Sequence, residues 1–144
     1  MKEKFIKLYM DWAKRCAELS HARRLHVGAV IVKDDTVISY GYNGMPAGWD
    51  NNCEDEVKWP NGEIRGLITK PEVLHAESNA IAKLAKNSNS GVGADLFITH
   101  SPCLECAKLI FQSGISRVYF GAQYRDDAGI KFLRDSNVEV IELA

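Results

Sequence analysis

The chain has 144 residues, 46% hydrophobic and 26% charged, with 18 basic against 19 acidic residues for a formal net charge of −1. That length supports one domain, 1–144, with a core of its own, and the balance excludes a disordered chain and a broad basic surface for duplex nucleic acid. The opening MKEKFIKLYMDWAKR is broken by charge every two or three positions, which excludes a signal-peptide core or membrane span there and points to the cytoplasm.

In chain order, Phe5, Tyr9, Trp12, Cys16 and Leu19 recur at helical spacing and predict an amphipathic helix ending near Ser20. VGAVIVKDDTVISYGYNG reads as two strands, about 27–33 and 36–42, joined at the polar pair Asp34 and Asp35. Residues 44–74 read as a long irregular loop, and loops of that length inside compact domains tend to be functional. The rest alternates: helix 75–86, strand 94–99, helix 103–113, strand 117–120, helix 126–135 and strand 138–142. A hairpin followed by this alternation predicts an α/β fold, a three-layer α/β/α sandwich around a five-stranded mixed sheet whose later strands are parallel.

Two of the four cysteines stand in CLEC, which points to metal or redox chemistry rather than a disulfide framework. His75, Cys103 and Cys106 each fall at or near a predicted helix start, and the three-residue step puts both thiols on one face of a first turn. A helix N-terminus favours thiolate, the form that binds metal. One imidazole and two thiolates suit Zn²⁺ and leave its fourth tetrahedral position for water, the pattern of a catalytic site. Glu77, about 200° around the helix from His75, is placed to carry a proton from that water to a substrate nitrogen. A lone CxxC is more often a redox pair or half a structural zinc site, and a lone HAE is weak. HAE followed after 28 residues by PCxxC matches the signature of zinc-dependent deaminases, and Pro102 suits the turn into the helix because it lacks the N–H that a first-turn residue leaves unpaired.

With 24-RLHVGAVIV-32, 40-YGYNGMPAG-48, 51-NNCE-54, 75-HAESNAI-81, 101-SPCLECAK-108 and 118-VYFGAQYR-125, the chain resembles the cytidine deaminase superfamily over nearly its whole length, and within it the deoxycytidylate deaminases of phages and bacteria. The resemblance implies hydrolysis of dCMP to dUMP and ammonia, supplying dUMP for thymidylate synthesis, with one catalytic Zn²⁺ per chain and Glu77 protonating N3 and then the leaving amino group. It places Asn43 near the sugar 3′-hydroxyl, Arg24 and Arg125 at the monophosphate, Tyr124 where it stacks on or gates the base, and Ser101 where its backbone holds the cytosine. Ala29 would let the backbone approach the base. Arg forks suit a phosphate, but Arg23, Arg117 and Lys131 compete for that role. The family also implies a homohexamer activated by dCTP and inhibited by dTTP, with Mg²⁺ accompanying the nucleotide near GYNG, in a host cytoplasm if the source is a phage.

Some related enzymes hold a second, structural zinc through Cys and His of the long loop. Cys53 is present and Cys16 lies on the first helix, but residues 54–74 contain neither His nor another Cys, so one zinc per chain is expected. The alternatives are a deaminase for dCTP, for a free nucleoside, which needs neither Arg24 nor Arg125, or for tRNA, which needs a basic stripe. A non-catalytic zinc module would tolerate loss of Glu77.

Overall fold

The computed structural model describes residues 1–124 and 126–143. The elements are α1 (Glu3–Ala17), β1 (Gly28–Lys33), β2 (Thr36–Tyr42), β3 (Glu54–Lys58), β4 (Ile64–Thr69), α2 (Ala76–Leu84), β5 (Asp95–His100), α3 (Leu104–Gln112), β6 (Arg117–Ala122), α4 (Ala128–Asp135) and β7 (Glu139–Glu142). Five strands form one sheet in the order β2-β1-β5-β6-β7. β1 is antiparallel to both β2 and β5, whereas β5, β6 and β7 are parallel. The β1–β2 turn rests on Asp34 and Asp35 with φ of 51° and 57°, the paired positive φ of a tight hairpin turn that matches strand twist.

Alternation along the strands splits the core in two. Val30, Val32, Phe97 and Tyr119 face α1, where they meet Tyr9, Met10, Ala13 and Cys16. Ala29, Ile31, Leu96, Ile98 and Val118 face the opposite layer, with Ala80 of α2, Ile110 of α3 and Leu133 of α4. Two glycines set how closely the helices approach. A Cβ on Gly28 would lie 2.0 Å from the Ala13 carbonyl oxygen on the α1 side, and one on Gly41 would lie 2.3 Å from the Ala76 carbonyl oxygen on the α2 side. α2, which carries Glu77, is thus seated directly on the β2 backbone.

The predicted sandwich and the parallel later strands are present, and the reading of 44–74 as irregular is corrected. Within it β3 and β4 pair as an antiparallel hairpin outside the main sheet. Its turn is closed by the Trp59 N–H to the Glu63 carbonyl at 2.8 Å, with Gly62 at φ 89°. EDEVK and IRGLIT are mostly solvated on both sides, so the apolar alternation that marks a half-buried strand is missing. No described helix is long and apolar enough to cross a membrane.

Candidate active site

The candidate site lies at the carboxyl ends of β5 and β6, the end where ligands bind in open α/β sheets. β1 runs antiparallel to β5, so its beginning and the end of β2 reach the same edge. α2 and α3 start there, and their N-cap residues are His75 and Cys103. The Cys103 sulfur accepts the Cys106 backbone N–H at 3.5 Å, so the cap itself turns Sγ toward the next thiol one helical turn on.

His75 Nδ1 lies 3.2 Å from Cys106 Sγ and 3.6 Å from Cys103 Sγ. One ligand atom from each of the three residues lies within 4.8 Å of the others, and among the described residues this is the one His/Cys/Asp/Glu group arranged to hold a metal. A tetrahedral zinc with Zn–N near 2.0 Å and Zn–S near 2.3 Å sets N and S about 3.6 Å apart, so the donor set fits Zn²⁺ in kind and spacing. Cys16 is buried against the α1 face of the sheet, and the buried Cys53 donates its S–H to the Asn51 carbonyl at 3.5 Å.

The protons of this group follow from its contacts. Hydrogen bonds from Cys106 and then His75 hold Cys103 down to about 4. The same pairing with Cys103, followed by burial, pushes the Cys106 thiol far up. His75 is raised, first by its hydrogen bond to Cys103. The Cys103 thiolate is thus the readily formed anion of the group, and binding a divalent metal at these three residues releases protons. Glu77 is 4% exposed, and burial is the largest reason its carboxyl is pushed up to about 7. A carboxyl poised there exchanges protons near neutrality, which general acid–base work requires.

Ala22, Arg24, Leu25, Val27, Asn43, Cys53, Glu54, Thr69, Val73, His75, Glu77, His100, Ser101, Cys103 and Tyr124 line one cavity. Arg24, Thr69, His75, Cys103 and Tyr124 also border an outer groove beside Ile68 and Asp126, and so form its rim. Asn43 clamps the wall: its side-chain oxygen accepts the Val27 N–H and its amide donates to the Leu25 carbonyl, both at 2.8 Å. One amide N–H and one lone pair remain for a ligand. The buried Ser101 hydroxyl accepts the Tyr124 N–H at 2.8 Å, fixing where that aromatic stands. Asn79 donates to the Tyr42 carbonyl at 2.8 Å and ties α2 to the end of β2.

Ala29 is fully buried in the core cluster on the α2 side of β1, because the strand period turns its methyl into the helical layer. Of the basic residues that compete with Arg24, Arg23 is engaged by Glu54 at 3.6 Å and Glu56 at 3.1 Å. Arg117 is engaged by Asp95 at 3.0 Å and Glu139 at 3.9 Å. The Arg24 guanidinium instead donates to the neutral Thr69 hydroxyl at 3.0 Å. Arg125 lies outside the described residues.

Glu54, Thr69 and His100 were missed as cavity residues. His100 is half-buried with its pKa lowered by burial, and its Nδ1 lies 2.9 Å from the Thr99 hydroxyl. Glu54 stood within the quoted NNCE with no visible role, and Thr69 carries no sequence signal at all.

Two helix starts that hold His/Cys/Cys beside a buried Glu, on a sheet of this order, define a zinc-binding deaminase fold. The profile of the cytidine and deoxycytidylate deaminase zinc-binding region matches residues 2–122, and the chain belongs to that family. Within it the chain is closely related to deoxycytidylate deaminases. It superposes on the crystal structure of the dCMP deaminase of cyanophage S-TIM5 in complex with dCMP and dUMP with a TM-score of 0.87 and 40% identity, covering 99% of each chain. It is 40% identical over 122 residues to the Homo sapiens deoxycytidylate deaminase, covering 78% of this chain and 65% of that protein. It is also 40% identical over 117 residues to ComE operon protein 2 of Bacillus subtilis, covering 81% of this chain and 59% of that protein. The chain thus spans less than two thirds of the length of these last two relatives.

Proposed function

We propose that the protein is a single-domain, zinc-dependent hydrolase that deaminates dCMP to dUMP and ammonia. The observation that carries this reading is the buried Glu77 in the cavity lined by His75 and Cys103, which with Cys106 form the ligand set. The zinc these three residues would hold supplies Lewis-acid activation of water. Glu77 takes one proton from the attacking water and delivers it to N3 of the cytosine, then takes the second from the hydroxyl now on C4 and delivers it to the departing amino group, so that C4 closes to the carbonyl as ammonia leaves. Its burial keeps the carboxyl out of competition with solvent, and its pKa near 7 lets it serve first as base and then as acid.

Arg24 at the rim takes the monophosphate, Tyr124 covers the base, the remaining amide valence of Asn43 meets the sugar 3′-hydroxyl, and Ser101 holds the segment beside the cytosine. Arg125 joins Arg24 at the phosphate in this reading. The dCMP complex of the S-TIM5 enzyme supports the choice of substrate, as does a rim guanidinium that donates to the neutral Thr69 hydroxyl. Regulation by dCTP and dTTP with Mg²⁺, a homohexameric assembly and a cytoplasmic site of action complete the proposal. A second pocket beside GYNG includes His21, Tyr42, Gly44, Lys83 and Lys86 in its lining and is where this reading seats the nucleotide.

The test is ammonia release by the zinc-loaded protein on dCMP, dCTP, CMP, deoxycytidine and cytosine. Preference for dCMP is expected, and equal turnover of deoxycytidine would remove the phosphate from the reading.

A further inference from the structure

The segment that brings Arg24 to the cavity, residues 20–27, belongs to no helix or strand. Its backbone is therefore fixed from outside. The Ser20 hydroxyl accepts the Ala22 N–H at 3.1 Å at one end, and Asn43 clamps Leu25 and Val27 at the other. Between them stands Glu54, the first residue of β3, with 1% of its surface exposed. The Arg23 N–H donates to both Glu54 carboxylate oxygens, at 3.2 and 2.9 Å, and the Arg24 N–H donates to one of them at 3.0 Å. A buried carboxylate is costly unless paired and hydrogen-bonded. Here the two consecutive N–H groups and the Arg23 side chain supply that pairing, so neither the carboxylate nor the loop is settled without the other.

Glu54 is paired in register with Thr69 across the base of the hairpin, and Thr69 is the residue whose hydroxyl accepts from the Arg24 guanidinium at 3.0 Å. One cross-strand pair thus holds Arg24 twice, by its backbone through Glu54 and by its side-chain tip through Thr69. The charges are also sorted. The Glu54 carboxylate would repel a phosphate, but it is buried, held by the two backbone N–H groups and offset by Arg23, which is further tied to Glu56 and Asn52. The Arg24 guanidinium keeps the neutral Thr69 hydroxyl as its partner.

We infer that Glu54 and Thr69 are positioning residues for Arg24, and that the β3–β4 hairpin thereby sets the preference for a nucleoside monophosphate over a nucleoside. The inference rests on Arg24 as the phosphate ligand. The hairpin acts on substrate choice without touching the reacting atoms.

The test compares Thr69→Val, Glu54→Gln and Arg24→Ala in the zinc-loaded protein. It reads kcat and KM on dCMP and deoxycytidine, together with binding of dUMP and deoxyuridine by calorimetry. Thr69→Val keeps side-chain shape at a half-buried position and remains informative if Glu54→Gln fails to fold. Loss of a charge-assisted contact predicts about a tenfold fall in the dCMP-to-deoxycytidine ratio of kcat/KM, carried by KM, with a matching loss of dUMP preference over deoxyuridine. A general structural role would lower both substrates together and leave the ratio in place, which would overturn the inference. If Arg24→Ala lowers the ratio but neither hairpin variant does, the positioning role alone fails. If Arg24→Ala leaves the ratio unchanged, the phosphate assignment beneath it fails.

Discussion

The two sides of the cavity are built differently. The metal side is made of helix starts planted on the main sheet: His75 and Cys103 are N-caps, Cys106 and Glu77 are buried within the first turns, and α2 rests on the Gly41 backbone. The opposite side is a segment without regular structure, held by side chains from a two-stranded hairpin outside that sheet. Groups that must keep atomic distances to a metal are fixed by the core, whereas the proposed phosphate ligand Arg24 hangs on a local clamp outside the main sheet. An isolated two-stranded hairpin is marginal alone, so Glu54 ties it down as much as it ties down the loop.

If this division holds, perturbing the metal side should cost the reaction and perturbing the hairpin side should cost the choice of substrate. The largest effect is expected from Cys106→Ser or from chelation. Zinc content by metal analysis should fall from about one per chain, turnover should vanish, and the melting temperature should drop, since ligands held only in the native state stabilise it on binding metal. Zinc added back to the chelated protein should restore all three. Glu77→Gln comes next: zinc stays at about one per chain while kcat on dCMP falls about a thousandfold or more, in line with loss of a general acid–base group. A variant that kept its turnover would place the protein among non-catalytic zinc modules.

Arg24→Ala is expected to lower kcat/KM on dCMP about 10- to 100-fold, and deoxycytidine much less, in steady-state kinetics. The smallest effect on chemistry should come from Gly41→Ala. Its Cβ would meet the Ala76 carbonyl at 2.3 Å and push α2 outward, costing about 1–3 kcal/mol of stability by denaturant unfolding. A loss of zinc affinity beyond that cost would show that the seat of α2 also tunes the ligand set.

Most of the metal side was legible in the sequence because its parts are short, periodic and chemically marked. Cys103 and Cys106 are three apart at a helix start, His75 begins another, and the alternation of strand and helix after residue 94 fixes which ends meet. The side proposed to meet the phosphate was only half legible. Arg24 stood out through the resemblance, but its partners Glu54 and Thr69 are 30 and 45 residues away, in a hairpin whose solvated strands carry no apolar period. The turn residues Pro60, Asn61 and Gly62 were the available signal, outweighed by the charge of EDEVK. Ala29 carries less information, because a small residue in a strand reads equally well as a gap for substrate or as packing.

The central claim, that one zinc held by His75, Cys103 and Cys106 works with Glu77 on a cytosine nucleotide, is tested most directly by ammonia release from dCMP in wild-type and Glu77→Gln proteins matched for zinc content. The account predicts rapid release by the wild type, and about a thousandfold less by the variant at equal zinc. Equal rates in the two proteins, or no release by the zinc-loaded wild type, would contradict it.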